Sequence, residues 1–192
     1  MSLTIHTATI DNLAELTIMI RRAIDQLQSS FLTSAQIRAS HRVMGLDTQL
    51  LRDGTYFFLR DSATIVGCGG WSFRRTLFGG DDSQVDREPA RLDPAVDAAR
   101  IRAMYTDPDH ARRGIGRTIL AQCEQAARAA GFARAEMMAT MSGEPLYQAC
   151  GYQRLGAPIE VVADGIPVPL VRMGKSIATA TPGMVRRDDD TR

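Results

Sequence analysis

The amino-acid sequence predicts an α/β domain. Two segments, 13–27 and 114–130, repeat apolar residues with the three-to-four spacing of amphipathic helices. Runs at 55–59 and 64–73 lie between them and are rich in the β-branched and aromatic residues that favour strands. A chain of 192 residues has the usual length of one domain, which we expect to extend over 1–177.

The charge of the chain is close to balanced. It carries 23 basic and 22 acidic residues, a formal net charge of +1, and 44% of its residues are apolar, as in soluble globular proteins. A nearly neutral chain has no overall positive field to gather a polyanion through counterion release. Nucleic acid is therefore not expected as the principal partner.

The cysteines indicate a reducing environment. Cys68, Cys123 and Cys150 are odd in number, widely spaced and without a Cys-x-x-Cys pair, which argues against a disulfide framework and a zinc site. No segment reaches the roughly 18 continuous apolar residues that span a bilayer, and the first residues lack the pattern of a secretory signal. We expect a soluble cytoplasmic protein that uses neither a membrane nor a metal.

The first elements are a short strand and two helices. Leu3 and Ile5 alternate as in a strand, and Thr9 and Asp11 can cap the helix over 13–27. The apolar positions of that helix share one face: Leu13, Leu16, Ile20, Ala23, Ile24 and Leu27. A weaker helix is predicted over 34–43, between a Ser-Ser break and a Gly-Leu-Asp break.

A hairpin and a long loop follow. Arg60, Asp61 and Ser62 separate the strand at 55–59 from the one at 64–73, in which three glycines interrupt the β-branched pattern. The next 24 residues or so contain paired glycines, two prolines and scattered charge, a composition typical of loops. We predict that 74–97 is a long mobile loop that orders over the acceptor substrate.

A strand is predicted over 99–106, where Asp107-Pro108 ends it. Strict alternation would place Ile101, Ala103 and Tyr105 on one face and Arg100, Arg102 and Met104 on the other. The helix over 114–130 is then closed by Gly131 as a C′ residue.

The remaining elements are shorter. A strand is predicted over 133–140 and a short helix over 143–150, entered through Pro145 and stopped by Gly151. The last strands are predicted over 152–155 and over 160–162 paired with 168–173 through Asp164-Gly165. The polar residues 178–192 have the composition of a disordered tail.

The start of the second long helix could bind an anion. The first amides of a helix have no intrahelical acceptor and lie at the positive end of the helix dipole, so a diphosphate can dock on them. Gly114 and Gly116 lack side chains that would hold a phosphate away. Arg112, Arg113 and Arg117 add positive charge. On its own, however, this pattern fits a tight turn with solvated arginines equally well.

The known nucleotide motifs do not match this turn. A Rossmann fold needs a third glycine where the chain has Ile119, and a P-loop needs a Gly-Lys-Ser/Thr sequence that is missing.

Two motifs instead resemble the GNAT (Gcn5-related N-acetyltransferase) family. The family signature Gln/Arg-x-x-Gly-x-Gly/Ala corresponds to 111–116, and Leu-Tyr-x-x-x-Gly-Phe/Tyr corresponds to 146–152, in the same order and separation. Two positions depart from the family pattern. Ala111 stands in place of Gln or Arg, which weakens one side-chain interaction, and Thr140 stands where many members have Asn.

The resemblance implies a mixed, splayed sheet of six to seven strands flanked by about four helices. Acetyl-CoA would be the co-substrate, lying where the fourth and fifth strands diverge. Backbone groups of Met104 and Tyr105 would hold the pantetheine and polarise the thioester, with Thr140 nearby. The diphosphate would lie on the turn that contains Arg112, Arg113, Gly114, Ile115, Gly116 and Arg117.

Tyr147 is the predicted general acid. Attack of an amine on a thioester develops negative charge on the carbonyl oxygen and then expels a thiolate. A tyrosine hydroxyl with a pKa of about 10 is protonated at neutral pH and can donate to a sulfur whose pKa is about 8.5. A lone tyrosine on an amphipathic helix is more often a core residue, but the motif around Tyr147 favours a hydroxyl facing the sulfur.

A general base is harder to assign. Family members often use a Glu on the fourth strand, where this chain has Arg100 and Arg102. Asp97, Glu136 and Glu160 are alternatives, each also compatible with a solvated surface carboxylate.

Other polar and aromatic residues have ordinary explanations. His6, His41 and His110 are too dispersed for a recognisable metal site, and Cys150 fits a small buried hydrophobe better than a nucleophile. Trp71, Phe73 and Phe78 could line an acceptor pocket, although core packing explains the first two equally well.

The sequence therefore predicts an N-acetyltransferase that passes an acetyl group from acetyl-CoA directly to a primary amine of a small molecule or peptide. The alternative is a non-catalytic acyl-CoA-binding or regulatory module on the same fold. A third possibility is an unrelated phosphate-binding protein. Because GNAT proteins are often dimers, a homodimer is possible.

Overall fold

The computed structural model describes residues 3–178, which form one mixed sheet with helices on both faces. The strands and helices in chain order are β1 (Leu3–Thr7), α1 (Leu13–Leu27), α2 (Ser34–Ser40), α3 (Thr48–Arg52), β2 (Tyr56–Asp61), β3 (Thr64–Ser72), β4 (Ala99–Thr106), α4 (Ile115–Ala129), β5 (Arg134–Thr140), α5 (Glu144–Ala149), β6 (Gln153–Arg154), β7 (Ile159–Ala163) and β8 (Ile166–Ser176). Short 3-10 turns occupy Ile10–Asn12 and Pro108–His110.

The strand order is β1-β2-β3-β4-β5-β8-β6, with β7 paired to β8. Only β4 and β5 run parallel, and their ladder has just two pairs, Ala99–Ala135 and Arg100–Glu136. The two strands then separate, so the sheet is split over most of their length. The predicted mixed, splayed α/β sheet is confirmed, with eight strands in the described part of the chain.

Opposite faces of the sheet carry different helices. Alternate residues of β2 belong to two hydrophobic core clusters, one on each face of the sheet. Phe57 and Leu59 belong to the cluster that contains Ile119 of α4, whereas Tyr56 and Phe58 belong to the cluster that contains residues of α1. A third core cluster joins α2 to β8 and includes Val43 and Leu170. Helix α4 therefore covers one face, and α1, α2 and α3 cover the other.

A bulge in β4 overturns the predicted alternation of its side chains. Ala103 has a φ of 50°, and the β3–β4 register shifts between Cys68 and Gly70. An extra residue in one strand reverses which face the following side chains point to. Ile101 and Met104 consequently pack on the α4 face, and Ala103 and Tyr105 pack on the α1 face. Arg102 is also buried rather than exposed.

The glycines of β3 make room for the α4 face. A Cβ at Gly69 would lie 2.1 Å from the sulfur of Met104, and one at Gly67 would lie 2.4 Å from Cγ2 of Ile115. Real Cβ atoms do not approach that closely, so these positions let α4 and the bulge of β4 pack directly on the strand.

Helix α3 was missed by the sequence patterns. It has only five residues and is capped by the preceding Asp47, whose carboxylate accepts a hydrogen bond from the amide of Gln49 at 2.9 Å. The predicted helix over 34–43 ends earlier, at Ser40. An Asp cap followed by Leu50 and Leu51 was the available signal.

The backbone of 74–97, the segment predicted as a long mobile loop, is anchored at several points. The amide of Arg75 donates to the carbonyl of Ala90 at 2.9 Å, and an isolated bridge joins Arg74 to Arg91. At the tip, the amide of Asp81 donates to the carbonyl of Leu46 at 2.9 Å. The segment therefore forms a folded excursion that docks on the connection between α2 and α3.

Several local predictions are confirmed. Gly131 follows α4 with a φ of 92°, as a C′ glycine does. Asp164 and Gly165 have φ values of 49° and 76°, which gives the tight turn of the β7–β8 hairpin. Apart from Ala178, the tail predicted over 178–192 lies outside the described residues. Between residues 3 and 178, no helix has the length and apolar character needed to cross a membrane.

Candidate active site

A cavity passes through the sheet where β4 and β5 separate. Part of its lining belongs to the core on the α4 face, including Met104 and Tyr147. The rest belongs to the opposite face, including Val43, Phe78 and Leu170. The lining of the cavity therefore comes from both faces of the sheet. Its full lining is Val43, Met44, Gly45, Leu77, Phe78, Gly79, Ile101, Arg102, Ala103, Met104, Tyr105, Met137, Met138, Thr140, Tyr147 and Leu170.

The N-terminus of α4 lies directly after β4 and its 3-10 turn. The first α-helical bond of this helix runs from the amide of Thr118 to the carbonyl of Gly114 at 3.0 Å, so the amides of Ile115, Gly116 and Arg117 have no intrahelical acceptor. Arg112, Arg113 and Arg117 are exposed around them. These amides and guanidinium groups form the donor set that a diphosphate requires.

The two glycines of this turn have different roles. Gly114 is the N-cap with a φ of 82°, and a Cβ there would meet nothing within 4 Å, so the glycine is required by backbone conformation. A Cβ on Gly116 would instead lie 2.7 Å from Cδ2 of Leu146. Gly116 therefore also provides space for α5 to pack against α4.

A buried carboxylate, not predicted from the sequence, holds the turn in place. Asp107 is buried, and its Oδ2 accepts from Nη1 of Arg22 on α1 at 2.7 Å. Its Oδ1 accepts from the amide of Asp109 at 2.9 Å, and its own amide donates to Val66 at 2.9 Å. The Asp-Pro-Asp sequence signalled such a turn locally. The partner Arg22, 85 residues earlier, was not foreseeable.

Tyr147 is buried on α5 and lines the cavity. Burial is the main cause that raises the pKa of its hydroxyl, and the neighbouring Tyr105, Cys123 and Cys150 act in the same direction. The group is therefore protonated at neutral pH. The ring packs edge-on against Tyr152, with centroids 6.2 Å apart. This packing fixes the direction in which the hydroxyl points.

Met104 and Tyr105 form the cavity wall just after the bulge. The hydroxyl of Tyr105 accepts a hydrogen bond from the amide of Gly45 at 2.9 Å, and burial raises its pKa. The side chain of Tyr105 thus ties β4 to the α2–α3 connection. Because β4 and β5 have separated at this point, the β5 side of β4 is unpaired and its backbone groups border the cavity.

Thr140 also lines the cavity, at the end of β5. Its hydroxyl oxygen accepts from the amide of Gly143 at 3.0 Å and lies 3.1 Å from Oγ of Ser142. The side chain therefore supports the entry into α5, which carries Tyr147.

None of the three alternative carboxylates lines the cavity. Glu136 pairs with Arg100 at 2.9 Å and with Arg172 at 2.5 Å, where β4 and β5 are still paired. Asp97 accepts from the amide of Asp93 at 2.8 Å, and Glu160 is exposed on β7. The structure thus brings Tyr147, Met104, Tyr105 and Thr140 together but leaves these acidic residues elsewhere.

Arg102 contributes a buried positive charge behind the cavity wall. Its Nη2 lies 3.0 Å from Oδ2 of Asp47, and its side chain donates to the carbonyls of Thr76 and Gly79 at 3.0 and 2.5 Å. The side chains of Arg102 and Asp47 are only 2% and 4% exposed. Burial lowers the pKa of Arg102, whereas the charge of Asp47 raises it. Asp47 and Arg102 also line a second cavity, beside Arg74 and Arg87.

The aromatic residues near the excursion divide between core and cavity. Trp71 packs edge-on against Phe73 and Phe132, at centroid distances of 5.9 and 6.0 Å. Of the three aromatic residues proposed for an acceptor pocket, only Phe78 lines the cavity. Within residues 3–178 no group of His, Cys, Asp and Glu is arranged to hold a metal ion.

The arrangement fits an acyl-CoA thioester. The free amides and arginines at the start of α4 suit the diphosphate, and the split between β4 and β5 suits the extended pantetheine arm. The protonated hydroxyl of Tyr147 borders the same cavity. Such a site can polarise a thioester carbonyl and protonate a departing thiolate.

Comparison with known proteins agrees with this geometry. The model of the acetyltransferase (GNAT) family matches residues 21–152. No curated protein sequence matches the chain.

Similar solved structures share the fold at low sequence identity. A GCN5-related N-acetyltransferase from Rhodopseudomonas palustris is 15% identical, with a TM-score of 0.68 and coverage of 92% of this chain and 96% of that one. The PaiA N-acetyltransferase of Thermoplasma acidophilum, in complex with coenzyme A, is 15% identical, with a TM-score of 0.63 and coverage of 92% and 99%. YncA from Salmonella typhimurium, solved with its cofactor acetyl-CoA, is 17% identical, with a TM-score of 0.61 and coverage of 96% and 99%.

Proposed function

This chain belongs to the GNAT family of acetyltransferases, and from that membership we propose that it transfers the acetyl group of acetyl-CoA to a primary amine through the cavity between β4 and β5. One observation carries the proposal. The β4–β5 ladder ends after two pairs, and the gap that follows is bordered both by the bulge of β4 and by Tyr147. Two reactants can therefore meet at one point inside the sheet.

The donor would bind from the α4 face. The amides of Ile115, Gly116 and Arg117 would receive the diphosphate, with Arg112 and Arg113 as cationic neighbours. Each hydrogen bond to a charged group contributes about 1.5–3 kcal/mol, and the helix dipole adds about 0.3–2 kcal/mol. The two similar structures that contain coenzyme A or acetyl-CoA support this choice of donor.

The thioester would lie beside Met104 and Tyr105. The β5 side of β4 has no strand partner there, so backbone groups next to the bulge are available to the carbonyl oxygen. A fixed N–H group that binds the developing oxyanion lowers the barrier without reorganisation. Thr140 would act from the opposite strand by holding the start of α5 in position.

Tyr147 would act as general acid. The amine nitrogen attacks the carbonyl carbon, the carbon–sulfur bond breaks, and the sulfur takes the proton of the Tyr147 hydroxyl. The proton that the amine nitrogen releases then restores the hydroxyl. The products are the acetamide and the CoA thiol, so protons balance without a metal.

A thiol-release assay with acetyl-CoA and a panel of amines tests this function. We expect amine-dependent release of CoA thiol and an acetylated product detected by mass spectrometry. A non-catalytic module would bind CoA by calorimetry but release no thiol with any amine. ATP that binds as tightly as CoA would favour a general phosphate-binding protein instead.

A further inference from the structure

We propose that the acceptor is a primary monoamine with an apolar, preferably aromatic, substituent, which occupies the side of the cavity facing α2 and the excursion. This inference rests on the proposed function and specifies the substrate class of the same site. It is carried by the side chains that line the half of the cavity on the face opposite α4.

Five side chains that line that half are apolar. Val43 and Leu170 are 1% and 2% exposed, and Met44, Phe78 and Met138 pack against the same cluster. These five side chains come from the α2–α3 connection, the excursion, β5 and β8. Apolar surface in the substrate would replace water against them, which favours binding in proportion to the buried area.

Methionines are frequent around the cavity. Met104 and Met137 line the half on the α4 face, and Met44 and Met138 line the acceptor half. Their flexible thioethers adapt to the shape of a ligand and make favourable contacts with aromatic rings. Together with Phe78, Met44 and Met138 favour the binding of an arylalkyl group over that of a polar chain.

The charges around the cavity oppose a polycationic acceptor. Its ionisable lining residues are Arg102, Tyr105 and Tyr147, of which only Arg102 is charged at neutral pH. The charge of Arg102 is paired with Asp47, and both residues also line the second cavity. A second ammonium group would therefore be desolvated against apolar side chains with no carboxylate among the lining residues, and that is costly.

The amine itself would enter in its neutral form. An alkylammonium has a pKa of about 10.4, so only a small fraction of the amine is neutral at pH 7. As long as the pH stays below that pKa, the neutral fraction grows about tenfold for each unit by which the pH rises. Transfer of the neutral form into an apolar cavity avoids the burial of a charge. The apparent kcat/KM of a monoamine should consequently rise about tenfold per pH unit between pH 7 and 9.

Two amines of equal length test the inference. Hexylamine and hexamethylenediamine share a six-carbon chain but differ in one terminal ammonium group. We expect kcat/KM for hexylamine to exceed that for the diamine by about tenfold or more, and phenethylamine to be at least as good as hexylamine. Equal or higher kcat/KM for the diamine or for spermidine would overturn the inference while leaving the acetyltransferase function intact.

Variants of Phe78 provide a second test. Phe78→Glu places a carboxylate on the acceptor side and should reverse the preference toward the diamine, whereas Phe78→Leu keeps an apolar side chain and should retain the order. Calorimetry with CoA should give the same Kd in both variants, because Phe78 lies on the face away from α4. An unchanged ranking in a folded Phe78→Glu protein would contradict the inference. A protein that binds CoA but acetylates no amine would contradict the proposed function itself.

Discussion

The hydroxyl of Tyr56 donates a hydrogen bond to the carbonyl oxygen of Ala103 at 2.8 Å. Ala103 is the left-handed residue of the β4 bulge, and a bulge removes backbone groups from the ladder. Tyr56 is fully buried, and burial raises its pKa, so the hydroxyl remains a donor. Gly70 leaves room for the Tyr56 ring, because a Cβ at this position would lie 2.7 Å from Cδ2 of Tyr56. A residue of β2 thus holds the conformation of the strand that borders the thioester.

Replacing Tyr56 with Phe should loosen the bulge. The carbonyl of Ala103 would lose its buried donor, and we expect the free energy of unfolding in urea to fall by about 1–3 kcal/mol. We also expect kcat to fall while the Kd for CoA stays nearly constant, because the α4 turn is not altered.

Tyr152→Phe is the matched control for stability. The hydroxyl of Tyr152 is buried near Glu124 but makes no hydrogen bond of good geometry in the described part of the chain, so its removal should cost little stability. If Tyr56→Phe and Tyr152→Phe had equal stabilities and Tyr56→Phe kept a normal kcat, the hydrogen bond would have no positioning role.

Tyr147→Phe removes the predicted proton donor but keeps the ring and its packing. General acid catalysis contributes about 10² to 10⁴ in rate, so kcat should fall by at least the lower figure with little change in acetyl-CoA affinity. Steady-state and single-turnover assays measure the effect. A kcat close to that of the wild type, where chemistry limits turnover, would assign Tyr147 to packing alone.

The pH profile gives an independent check on Tyr147. Because burial raises its pKa, the hydroxyl loses its proton only above the ordinary value of about 10. Once amine ionisation is corrected for, kcat should stay constant from pH 7 to about 10 and decline only at higher pH. An alkaline limb near pH 8 that disappears in Tyr147→Phe would show that the pKa is lowered instead.

Gly114→Asp and Gly114→Asn test the diphosphate site. Both side chains tolerate a left-handed backbone better than other non-glycine residues, and a Cβ at this position meets no atom within 4 Å. Only Asp adds a negative charge, whose repulsion of a phosphate about 4 Å away is worth about 1 kcal/mol in water and about 4 near a protein surface. Calorimetry should show CoA binding about tenfold or more weaker for Asp than for Asn. Equal CoA affinities of the two variants would show that the diphosphate does not bind at the start of α4.

Asp47→Asn should destabilise the fold more than a surface substitution does. It keeps an oxygen to cap α3 but leaves the buried guanidinium of Arg102 without its counter-charge. Removing one partner of a buried ion pair costs about 3–5 kcal/mol. The double variant Arg102→Met with Asp47→Asn should recover much of that loss in urea unfolding. A loss for Asp47→Asn below about 1 kcal/mol would show that the pair is dispensable.

The residue patterns of the sequence were sufficient to predict individual helices and strands and to locate the two motifs. Helix α1 spans the predicted 13–27, and β4 spans the predicted 99–106. Periodicity and capping act within one or two turns of chain, so a single segment contains the information. The two motif segments likewise located the α4 turn and Tyr147, because each motif lies within one stretch of sequence.

Only the tertiary structure decided which groups meet in the cavity. The bulge at Ala103 moves Met104 and Tyr105 to faces that strict alternation does not give, and Gly116 leaves space for Leu146 of α5. The pairs Tyr56–Ala103 and Arg102–Asp47 are separated by 47 and 55 residues. Contacts over such separations depend on how strands register and helices dock, which no local pattern specifies. The sequence therefore determined the elements and the motif positions, whereas packing determined the shape, charge and polarity of the site.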